Sequence, residues 1–379
     1  MRSLMEAMGA KALRLGIPLG AQVDLTYRCN ERCVHCYLDH DDHGELTHAE
    51  ITDLLDQLAE AGVFFLTISG GEIFLRPDLF DILEHARRRL FAVKIKTNAI
   101  IIREEQAARL AALGLEGVQI SIYSHRPDVH DAITLVPGSL ERSLRGARVL
   151  IAAGVKVTFA NVLMRQNVGD YPHVKTLAAE IGARLTVDPT VTPMMDGDRS
   201  ILALNIGRED LRRVVRDSEL VDDVDDYCAP ATGPYEEEDA FARLPCSAGH
   251  TSCYVSPYGD VYPCVQFPLP SGNIRQTRFI DIWRESPQLQ EVRSISLGDL
   301  EGCSSCANQK TCTRCPGLAY MEGNMRGPST QDCEKSLART GHESMNLRAK
   351  RAEPSARANG AAFIPLAQLR SGKPLSLPA

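Results

Sequence analysis

Residues 21–36 read AQVDLTYRCNERCVHC, an extended segment followed directly by three closely spaced cysteines. Residues 21–27 predict a β-strand, so Cys29, Cys33 and Cys36 fall on the loop that follows it. Three such thiolates can hold three irons of a [4Fe–4S] cube and leave the fourth iron open to a small ligand. A zinc ion bound by these cysteines and His35 is the alternative, although structural zinc usually draws its ligands from two separated pairs.

Downstream of the cysteines the chain repeats the same strand pattern. Helical patterns separate the predicted strands, and the first helix begins after Thr47, an N-cap residue with Glu50 three positions later. Six successive βα units predict an α/β fold, closed as a partial (β/α)6 barrel of the TIM type with its chemistry at the carboxyl ends of the strands. A doubly wound open sheet fits the same alternation, and periodicity does not choose between them. The five further strands are predicted at VFFLTIS (63–69), AVKIKTN (92–98), GVQISIY (117–123), KVTFANVL (156–163) and RLTVDPT (184–190).

Composition excludes several classes of protein. The chain has 379 residues, 44% of them hydrophobic, and a formal net charge of −7, which argues against a nucleic-acid partner. No apolar run approaches the roughly 20 residues that span a bilayer, so no membrane partner is expected. The first residues lack an apolar stretch followed by a cleavage site, and a cytoplasmic location is therefore expected.

The twelve cysteines are clustered in the sequence. Cysteines that serve only as buried apolar side chains would be scattered along the chain. Three lie between residues 29 and 36, none follows until Cys228, and eight fall between Cys246 and Cys333. A long chain without an export signal is a poor candidate for a disulfide scaffold. Clustered cysteines in such a chain predict metal binding or redox chemistry.

The sequence also suggests a division into domains. Residues 1–20 are expected to be an N-terminal extension and residues 21–221 the barrel domain. An acidic linker is predicted over residues 222–240, because this stretch has little apolar periodicity. Residues 241–340 are rich in Gly, Pro and Cys, so metal is expected to replace a hydrophobic core there. Residues 341–379 are basic and rich in Ala and Pro, and are expected to form a flexible tail.

The cysteine motif C-x3-C-x2-C after the first strand resembles the signature of the radical S-adenosylmethionine (SAM) superfamily. The resemblance implies a [4Fe–4S] cluster whose open iron binds the amino and carboxyl groups of SAM. It also implies that an electron cleaves SAM to a 5′-deoxyadenosyl radical, while the protein positions and shields that radical. His35 occupies the position before the third cysteine, which in the family is usually aromatic and lies near the adenine.

Three further segments resemble SAM-contacting elements of the same family. Ser69-Gly-Gly-Glu72 resembles the GGE motif, where glycine lets the main chain approach the SAM amino group closely. Thr97-Asn98 resembles the common Thr-Asn-Gly, and Ser121 resembles a serine that contacts SAM. Tyr123 stands where many relatives carry Asp, and Thr134 where an Arg contacts the SAM carboxylate, so no partner is assigned to that carboxylate. The resemblance thus implies a SAM-binding set of His35, Gly70, Gly71, Glu72, Asn98 and Ser121.

The later cysteines resemble the SPASM domain, an auxiliary-cluster module of some radical SAM enzymes. Cys246-x12-Gly259-x4-Cys264 resembles its opening, and the second block matches its C-x2-C-x5-C-x3-C run with one residue fewer before the last cysteine. Two zinc ribbons are the alternative. Cys228 is left over as a non-ligand. By analogy, auxiliary cluster I would be held by Cys246, Cys253, Cys264 and Cys315, and auxiliary cluster II by Cys303, Cys306, Cys312 and Cys333.

SPASM enzymes act largely on polypeptides, so the resemblance implies a radical SAM maturase that crosslinks or otherwise modifies a small ribosomally made peptide. A sulfatase-maturase-like enzyme is disfavoured because Val265 stands where that group has a catalytic Asp. A PQQ-biosynthesis-like enzyme is disfavoured because Cys312 stands where that enzyme has an Asp ligand. A non-enzymatic iron–sulfur or zinc protein is the alternative from a different class.

The resemblance also implies partners. Only about 20 residues precede the first strand, so we expect a separate PqqD-like peptide-binding protein and a reductant of the flavodoxin or ferredoxin type. No residue stands out as a general base. Asp188, Asp196 and Asp198 lie near the end of the sixth strand, but acidic loop residues are usually just solvated. Asn161 and Arg165 are no stronger candidates.

Overall fold

The computed structural model describes residues 4–38, 40, 43–221, 224–228, 244–309 and 311–352. One mixed sheet carries the fold of this part of the chain, with helices between its parallel strands. Its strands are β1 (Gly20–Asp24), β2 (Phe65–Ser69), β3 (Ala92–Thr97), β4 (Gly117–Ser121), β5 (Val157–Val162), β6 (Arg184–Asp188), β7 (Ser252–Val255), β8 (Asp260–Tyr262) and β9 (Gly272–Asn273).

The α-helices of the first two thirds of the chain follow the predicted βα alternation. The predicted N-cap is confirmed, because the Thr47 hydroxyl accepts a hydrogen bond from the Glu50 amide and the Glu50 carboxylate accepts one from the Thr47 amide. These helices are α1 (Leu4–Leu15), α2 (His48–Glu60), α3 (Leu79–Arg88), α4 (Glu104–Leu113), α5 (Pro127–Thr134), α6 (Ser139–Ala152), α7 (Tyr171–Ile181), α8 (Arg208–Val215) and α9 (Val224–Cys228). Those of the last third are α10 (Phe279–Glu285), α11 (Pro287–Arg293), α12 (Pro316–Met321), α13 (Thr330–Thr340) and α14 (Met345–Ala352).

The six strands predicted from the sequence form the parallel part of the sheet, in the order β6-β5-β4-β3-β2-β1. Every strand lies beside its neighbour in the chain, and the order never reverses. A doubly wound sheet requires such a reversal, so that alternative is excluded. Right-handed crossovers in a constant direction place the helices on one side of the sheet, which is the arrangement of the predicted partial barrel.

Side chains of the parallel strands alternate between the apolar core under the helices and the barrel interior that contains the site. Val23, Ile68, Ile95, Ile120 and Phe159 are fully buried and belong to one continuous apolar cluster with the helices. Burying a side chain of this size stabilises the fold by about 1.5–3 kcal/mol. Successive residues of a strand point to opposite faces, so the polar residues between these positions face the inside of the barrel.

The cysteine-rich region extends the barrel sheet instead of standing apart from it. Strand β7 pairs in parallel with the free edge of β1, with Gly20 opposite Ser252, and β8 and β9 continue the sheet with antiparallel pairing. Farther along the chain, Arg208 in α8 donates two hydrogen bonds of 2.9 Å to Glu334 in α13. The two regions therefore contact each other both at the edge of the sheet and between α8 and α13.

The predicted terminal and linking segments are partly helical. The extension over residues 1–20 contains α1, and the indole Nε1 of Trp283 donates a 2.7 Å hydrogen bond to the Gly16 carbonyl beyond that helix. The predicted linker contains α9, and the predicted tail begins with α14. Most of the linker and residues 353–379 lie outside the described residues. Within the described ranges, no helix is long and apolar enough to cross a membrane.

Candidate active site

The cysteine loop is held against the glycine loop by main-chain hydrogen bonds. The Gly71 amide donates to the Thr26 carbonyl at 2.7 Å, and the Glu72 amide donates to the Arg28 carbonyl at 2.9 Å. A Cβ at Gly70 would lie 2.2 Å from the Thr26 carbonyl oxygen, and its φ of +145° also disfavours other residues. Glycine at this position is therefore required for the end of β2 to lie beside the residues that precede Cys29.

Glu72 lies behind this junction and is fully buried. Its carboxylate accepts hydrogen bonds from the Phe74 amide at 3.0 Å and from the Thr97 hydroxyl and the Asn98 amide at 2.8 Å. Burial raises the pKa of Glu72, and these donors counteract the rise. The side chain joins the loops after β2 and β3 but does not line the cavity, so it acts as a positioning residue.

A cavity of about 520 Å³ opens at the carboxyl ends of the parallel strands. This is the end of a parallel barrel at which active sites are found. All the predicted SAM-site residues except Glu72 line it. That set consists of Cys29, Cys33, His35, Cys36, Gly70, Gly71, Asn98 and Ser121.

Asn98 connects the third strand to the cysteine loop. Its amide nitrogen donates a 2.6 Å hydrogen bond to the Asn30 side chain and lies 4.0 Å from the Cys29 sulfur. Its carbonyl accepts a 2.7 Å hydrogen bond from the Ser143 hydroxyl in α6. The Thr-Asn pair thus fixes the position of the first cysteine through the loop residue next to it.

The three thiols of the cysteine loop fit an iron–sulfur cluster in their chemistry. Burial raises the pKa of Cys29 to about 12, and it raises the pKa values of Cys33 and Cys36 as well. Buried thiols of this kind lose their protons when a cation binds, because the metal charge replaces the lost solvation. The donor set therefore fits a metal centre that supplies positive charge, as a [4Fe–4S] cluster does.

His35 has an apolar and uncharged environment. Its ring lies 4.7 Å from the ring of Tyr123 at an angle of 76°, and burial lowers its pKa to about 4. The imidazole is therefore neutral at physiological pH. A neutral ring packed edge-on against another ring fits the aromatic position beside the adenine that the family resemblance implies.

Sequence reasoning did not identify Lys96, Gln119 and Gln266 as cavity residues, because no motif surrounds them, and it considered Val265 only as the counterpart of an Asp in sulfatase maturases. Lys96 and Gln119 lie on the inner faces of β3 and β4, and Val265 and Gln266 follow Cys264. Strand alternation predicts an inward direction for Lys96, but it does not reveal which side chain from another strand lies opposite. Val265 and Gln266 reach the cavity only because β7 joins the edge of β1.

Of Asp188, Asp196 and Asp198, only Asp188 lines the cavity. Burial raises its pKa, and the charge of Lys335 opposes that rise. Asp196 and Asp198 lie on an exposed loop, where Asp198 accepts hydrogen bonds from Ser200. Asn161 also lines the cavity and donates to the Tyr123 carbonyl, whereas Arg165 bonds to the Asn205 carbonyl at the surface.

The late cysteines influence one another's pKa values in two sets, both of which also include Asp332. Burial raises the pKa of Cys312 to about 12, with further contributions from Asp332 and from the thiols of Cys333, Cys303 and Cys306. Burial raises the pKa of Cys315 to about 11, with contributions from Asp332, Cys246 and Cys264. Charges act in this way only over short distances inside a protein. Among the described residues, no set of three His, Cys, Asp or Glu side chains is placed to hold a single metal ion.

Cys253 differs from the other members of the expected set for auxiliary cluster I. It lies opposite Ala21 in the β1–β7 register and belongs to the apolar cluster that includes Trp283. Its sulfur lies 3.9 Å from the Gly20 carbonyl, although the charge of Cys264 still contributes to its raised pKa. Cys246 and Cys264 pack in a different apolar cluster. Cys228 is buried in α9, with its sulfur 3.6 Å from the Val215 carbonyl.

Comparisons with known proteins agree with this geometry. The model of the radical SAM superfamily matches residues 23–178, and that of SPASM, an iron–sulfur cluster-binding domain, matches residues 246–316. Mycofactocin maturase MftC of Mycobacterium tuberculosis (strain ATCC 25618 / H37Rv) is 31% identical over 86% of this chain and 87% of its own length. The AdoMet-dependent heme synthase of Methanosarcina barkeri (strain Fusaro / DSM 804) is 29% identical over 78% of this chain and 90% of its own length.

The fold also has solved counterparts. The crystal structure of Streptococcus suis SuiB bound to precursor peptide SuiA superposes with a TM-score of 0.69 and 19% sequence identity, covering 86% of this chain and 79% of that chain. The cofactors are SAM, a [4Fe–4S] cluster at the SAM site and auxiliary iron–sulfur clusters in the SPASM domain. With its cysteine loop, glycine loop and cavity at one end of a partial barrel, the chain belongs to the radical SAM superfamily and is an enzyme with a C-terminal SPASM domain.

Proposed function

We propose that this enzyme modifies a ribosomally made peptide by abstracting a hydrogen atom from it, forming a crosslink or a related modification. One observation carries the proposal: the same cavity is lined by the cysteine loop and by Val265 and Gln266, the residues that follow Cys264. A substrate in that cavity contacts both the SAM site and the neighbourhood of an auxiliary cluster. The 31% identity with mycofactocin maturase MftC supports a peptide substrate.

The proposal assigns separate tasks to the residues of the SAM site. Cys29, Cys33 and Cys36 hold the [4Fe–4S] cluster, which together with SAM supplies the carbon radical. His35, Gly70, Gly71, Asn98 and Ser121 contact SAM. Glu72 holds the loops after β2 and β3 in place. Tyr123, packed edge-on against His35, helps to exclude water from the adenine side of the site.

The auxiliary clusters are proposed to use seven of the eight late cysteines. Cys303, Cys306, Cys312 and Cys333 hold auxiliary cluster II, and Cys246, Cys264 and Cys315 hold auxiliary cluster I. The sequence motif alone included Cys253 in cluster I. Its position in the helix-facing core beside Ala21 favours a structural role for this thiol instead.

Replacing Cys253 by alanine is therefore expected to leave the iron content and the electron paramagnetic resonance spectrum of the reduced auxiliary clusters unchanged. The Cys264→Ala variant is expected to lose about four irons per chain, since a cube held by two thiolates is not retained. Cys228→Ala serves as the control for removing a buried thiol outside the clusters. A changed spectrum in the Cys253→Ala protein would show that Cys253 is a ligand after all.

The partners follow from the proposed chemistry. A reduced flavodoxin or ferredoxin is the proposed electron donor, and a separate PqqD-like protein is the proposed carrier of the peptide. The cytoplasm, which keeps thiols reduced, is the proposed location. The domain boundaries expected from the sequence also stay proposals, with residues 21–221 as the radical SAM core and residues 241–340 as the SPASM domain.

A heme-synthase-like activity on a tetrapyrrole is the second candidate, because the Methanosarcina barkeri enzyme is 29% identical over 90% of its length. The test uses protein reconstituted without oxygen, SAM and dithionite. Synthetic peptides translated from short reading frames beside the gene are added in one arm, and iron porphyrin precursors in the other. Formation of 5′-deoxyadenosine and the substrate mass are both measured.

We expect one peptide to lose two hydrogen atoms per 5′-deoxyadenosine formed, one as the abstracted hydrogen atom and one as a proton whose electron would pass to an auxiliary cluster, with the porphyrin arm unchanged. Coupled turnover of the porphyrin alone would replace the peptide proposal by the second candidate. Absence of 5′-deoxyadenosine in every arm, with the iron content intact, would contradict the assignment of the SAM site itself.

A further inference from the structure

Lys96 lies on the inner face of β3 and lines the cavity. It is the only lysine or arginine among the described residues that line it. Its ammonium group donates a 3.0 Å hydrogen bond to the Gln22 side-chain oxygen, and the Gln22 nitrogen donates a 3.0 Å hydrogen bond to Asp24. Gln22 therefore bridges a cation and an anion that come from two different strands.

Asp24, the anion of this pair, lies deeper in the protein than Lys96. Asp24 is only 1% exposed, accepts a 3.0 Å hydrogen bond from the Tyr254 hydroxyl and does not line the cavity. An ammonium group has three donors, and the bond to Gln22 uses one of them. Burial lowers the pKa of Lys96, while the charge of Asp24 opposes that change. The hydrogen bond to Gln22 therefore leaves two donors of the Lys96 amine for a ligand in the cavity.

The groups around the ammonium inside the cavity are uncharged. Gln119 and Thr186 line the same part of the barrel interior and contact each other at 3.4 Å. The acidic residues of the cavity, Glu31 and Asp188, belong to the cysteine loop and to the end of β6. A lone cation among neutral amides and hydroxyls is suited to bind an anionic group of a ligand.

The surroundings of Lys96 help to identify the anionic group that it binds. The charged groups that act on it are Asp24, Cys264 and Lys94, and it in turn lowers the pKa of Cys264. The charges acting on Cys29 are those of Glu72, Glu31 and Cys36. Lys96 therefore has Cys264 of the SPASM domain as an electrostatic neighbour, and on its other side Gln22 also hydrogen-bonds to Tyr37, which follows Cys36.

We propose that Lys96 binds a carboxylate of the peptide substrate and so determines which residue is presented to the radical. The carboxylate is either an acidic side chain or the C-terminus of the peptide. This inference rests on the proposed function, because it names the substrate class of the same cavity. Lys96 is a specificity-determining residue in this scheme.

The test measures binding of small capped probes to the reconstituted enzyme with SAM, by anaerobic isothermal titration. N-acetylglycine presents a terminal carboxylate, and N-acetylglutamate methylamide presents a side-chain carboxylate. N-acetylglycinamide and N-acetylglutamine methylamide are their neutral counterparts. The variants are Lys96→Met, Lys96→Arg as a charge-retaining replacement, and Lys94→Met as the control. Lys94 lies two residues earlier on the same face of β3, but it pairs with Glu116 and does not line the cavity.

We expect the unmodified enzyme and Lys94→Met to bind one carboxylate probe about tenfold more tightly than its amide, as a charge-assisted hydrogen bond provides. A preference for N-acetylglycine would indicate that Lys96 binds the C-terminal carboxylate of the peptide. A preference for N-acetylglutamate methylamide would indicate that it binds an acidic side chain. Lys96→Met is expected to lose the preference, and Lys96→Arg to keep part of it. No preference in the unmodified enzyme, or an unchanged preference in Lys96→Met, would overturn the inference.

A measurement of SAM binding distinguishes a role of Lys96 in peptide binding from a role in SAM binding. The SAM dissociation constant of Lys96→Met is expected to rise by less than about threefold, with Lys94→Met as the control. A rise of tenfold or more in the SAM dissociation constant would instead assign the lysine to the SAM carboxylate and overturn the peptide assignment. Failure of SAM cleavage in the unmodified enzyme would refute the proposed function and not the role of Lys96.

Discussion

Replacing Cys29, Cys33 and Cys36 together by alanine is expected to abolish formation of 5′-deoxyadenosine while the barrel stays folded. These three thiols line the cavity and belong to no strand or helix, so their loss removes the metal site and little of the apolar core. Activity should fall by more than about a thousandfold, because the uncatalysed reductive cleavage of SAM has no alternative site on the protein.

Iron content provides the quantitative check on this variant. Three [4Fe–4S] clusters correspond to about 12 irons per chain, and the triple variant should keep about 8 with a matching amount of sulfide. A Cys303→Ala/Cys306→Ala protein is the matched control, since it should lose iron from auxiliary cluster II and still bind SAM. Full iron content in the triple variant, or about two zinc ions per chain without sulfide, would contradict the cluster assignment.

The second large effect is expected from Gly71→Ala. A Cβ at this position would lie 2.3 Å from the Arg28 carbonyl oxygen and 2.7 Å from that of Tyr27, so the main chain ahead of Cys29 has to move. Overpacking of this kind costs about 1–3 kcal/mol of folding free energy. It also displaces the loop that brings Cys29 to the cavity, and SAM affinity should fall by more than about tenfold.

The measurements for Gly71→Ala are the thermal unfolding midpoint and the SAM dissociation constant, both without oxygen. Gly169→Ala is the control, because no heavy atom lies within 4 Å of the added Cβ and its backbone is not in the left-handed region. The control should match the unmodified protein in both quantities. If Gly71→Ala did so too, the close packing of the glycine loop against the cysteine loop would not matter for SAM binding.

These two variants probe contacts of different origin. The three cysteines lie within eight residues of each other, and their common function can be read from spacing alone. Gly71 and Arg28 are separated by 43 positions, and only the parallel pairing of β1 with β2 brings their main chains together. The motif predicted that glycine would be needed, but the sequence did not indicate which atoms a side chain would meet.

Much of the fold follows from local pattern. All six parallel strands were predicted within a few residues of their bounds, because buried parallel strands are short apolar runs separated by amphipathic helices. The carboxyl ends of the first and fourth strands were predicted a few residues too late, since Leu25 and Tyr27 after β1 and Ile122 and Tyr123 after β4 continue the apolar pattern. Strand order was open until the structure showed that it never reverses.

The sequence by itself determined the family, the three-cysteine loop, the glycine loop and the cysteine-rich region, because each depends on residues that are close in the chain. Only the tertiary structure decided that β7 extends the barrel sheet, that Cys253 faces the helix-side core and that Lys96 is paired with Asp24 through Gln22. These features join strands far apart in sequence. The face on which such a residue lies depends on strand register, and register is set by the packing of the whole sheet.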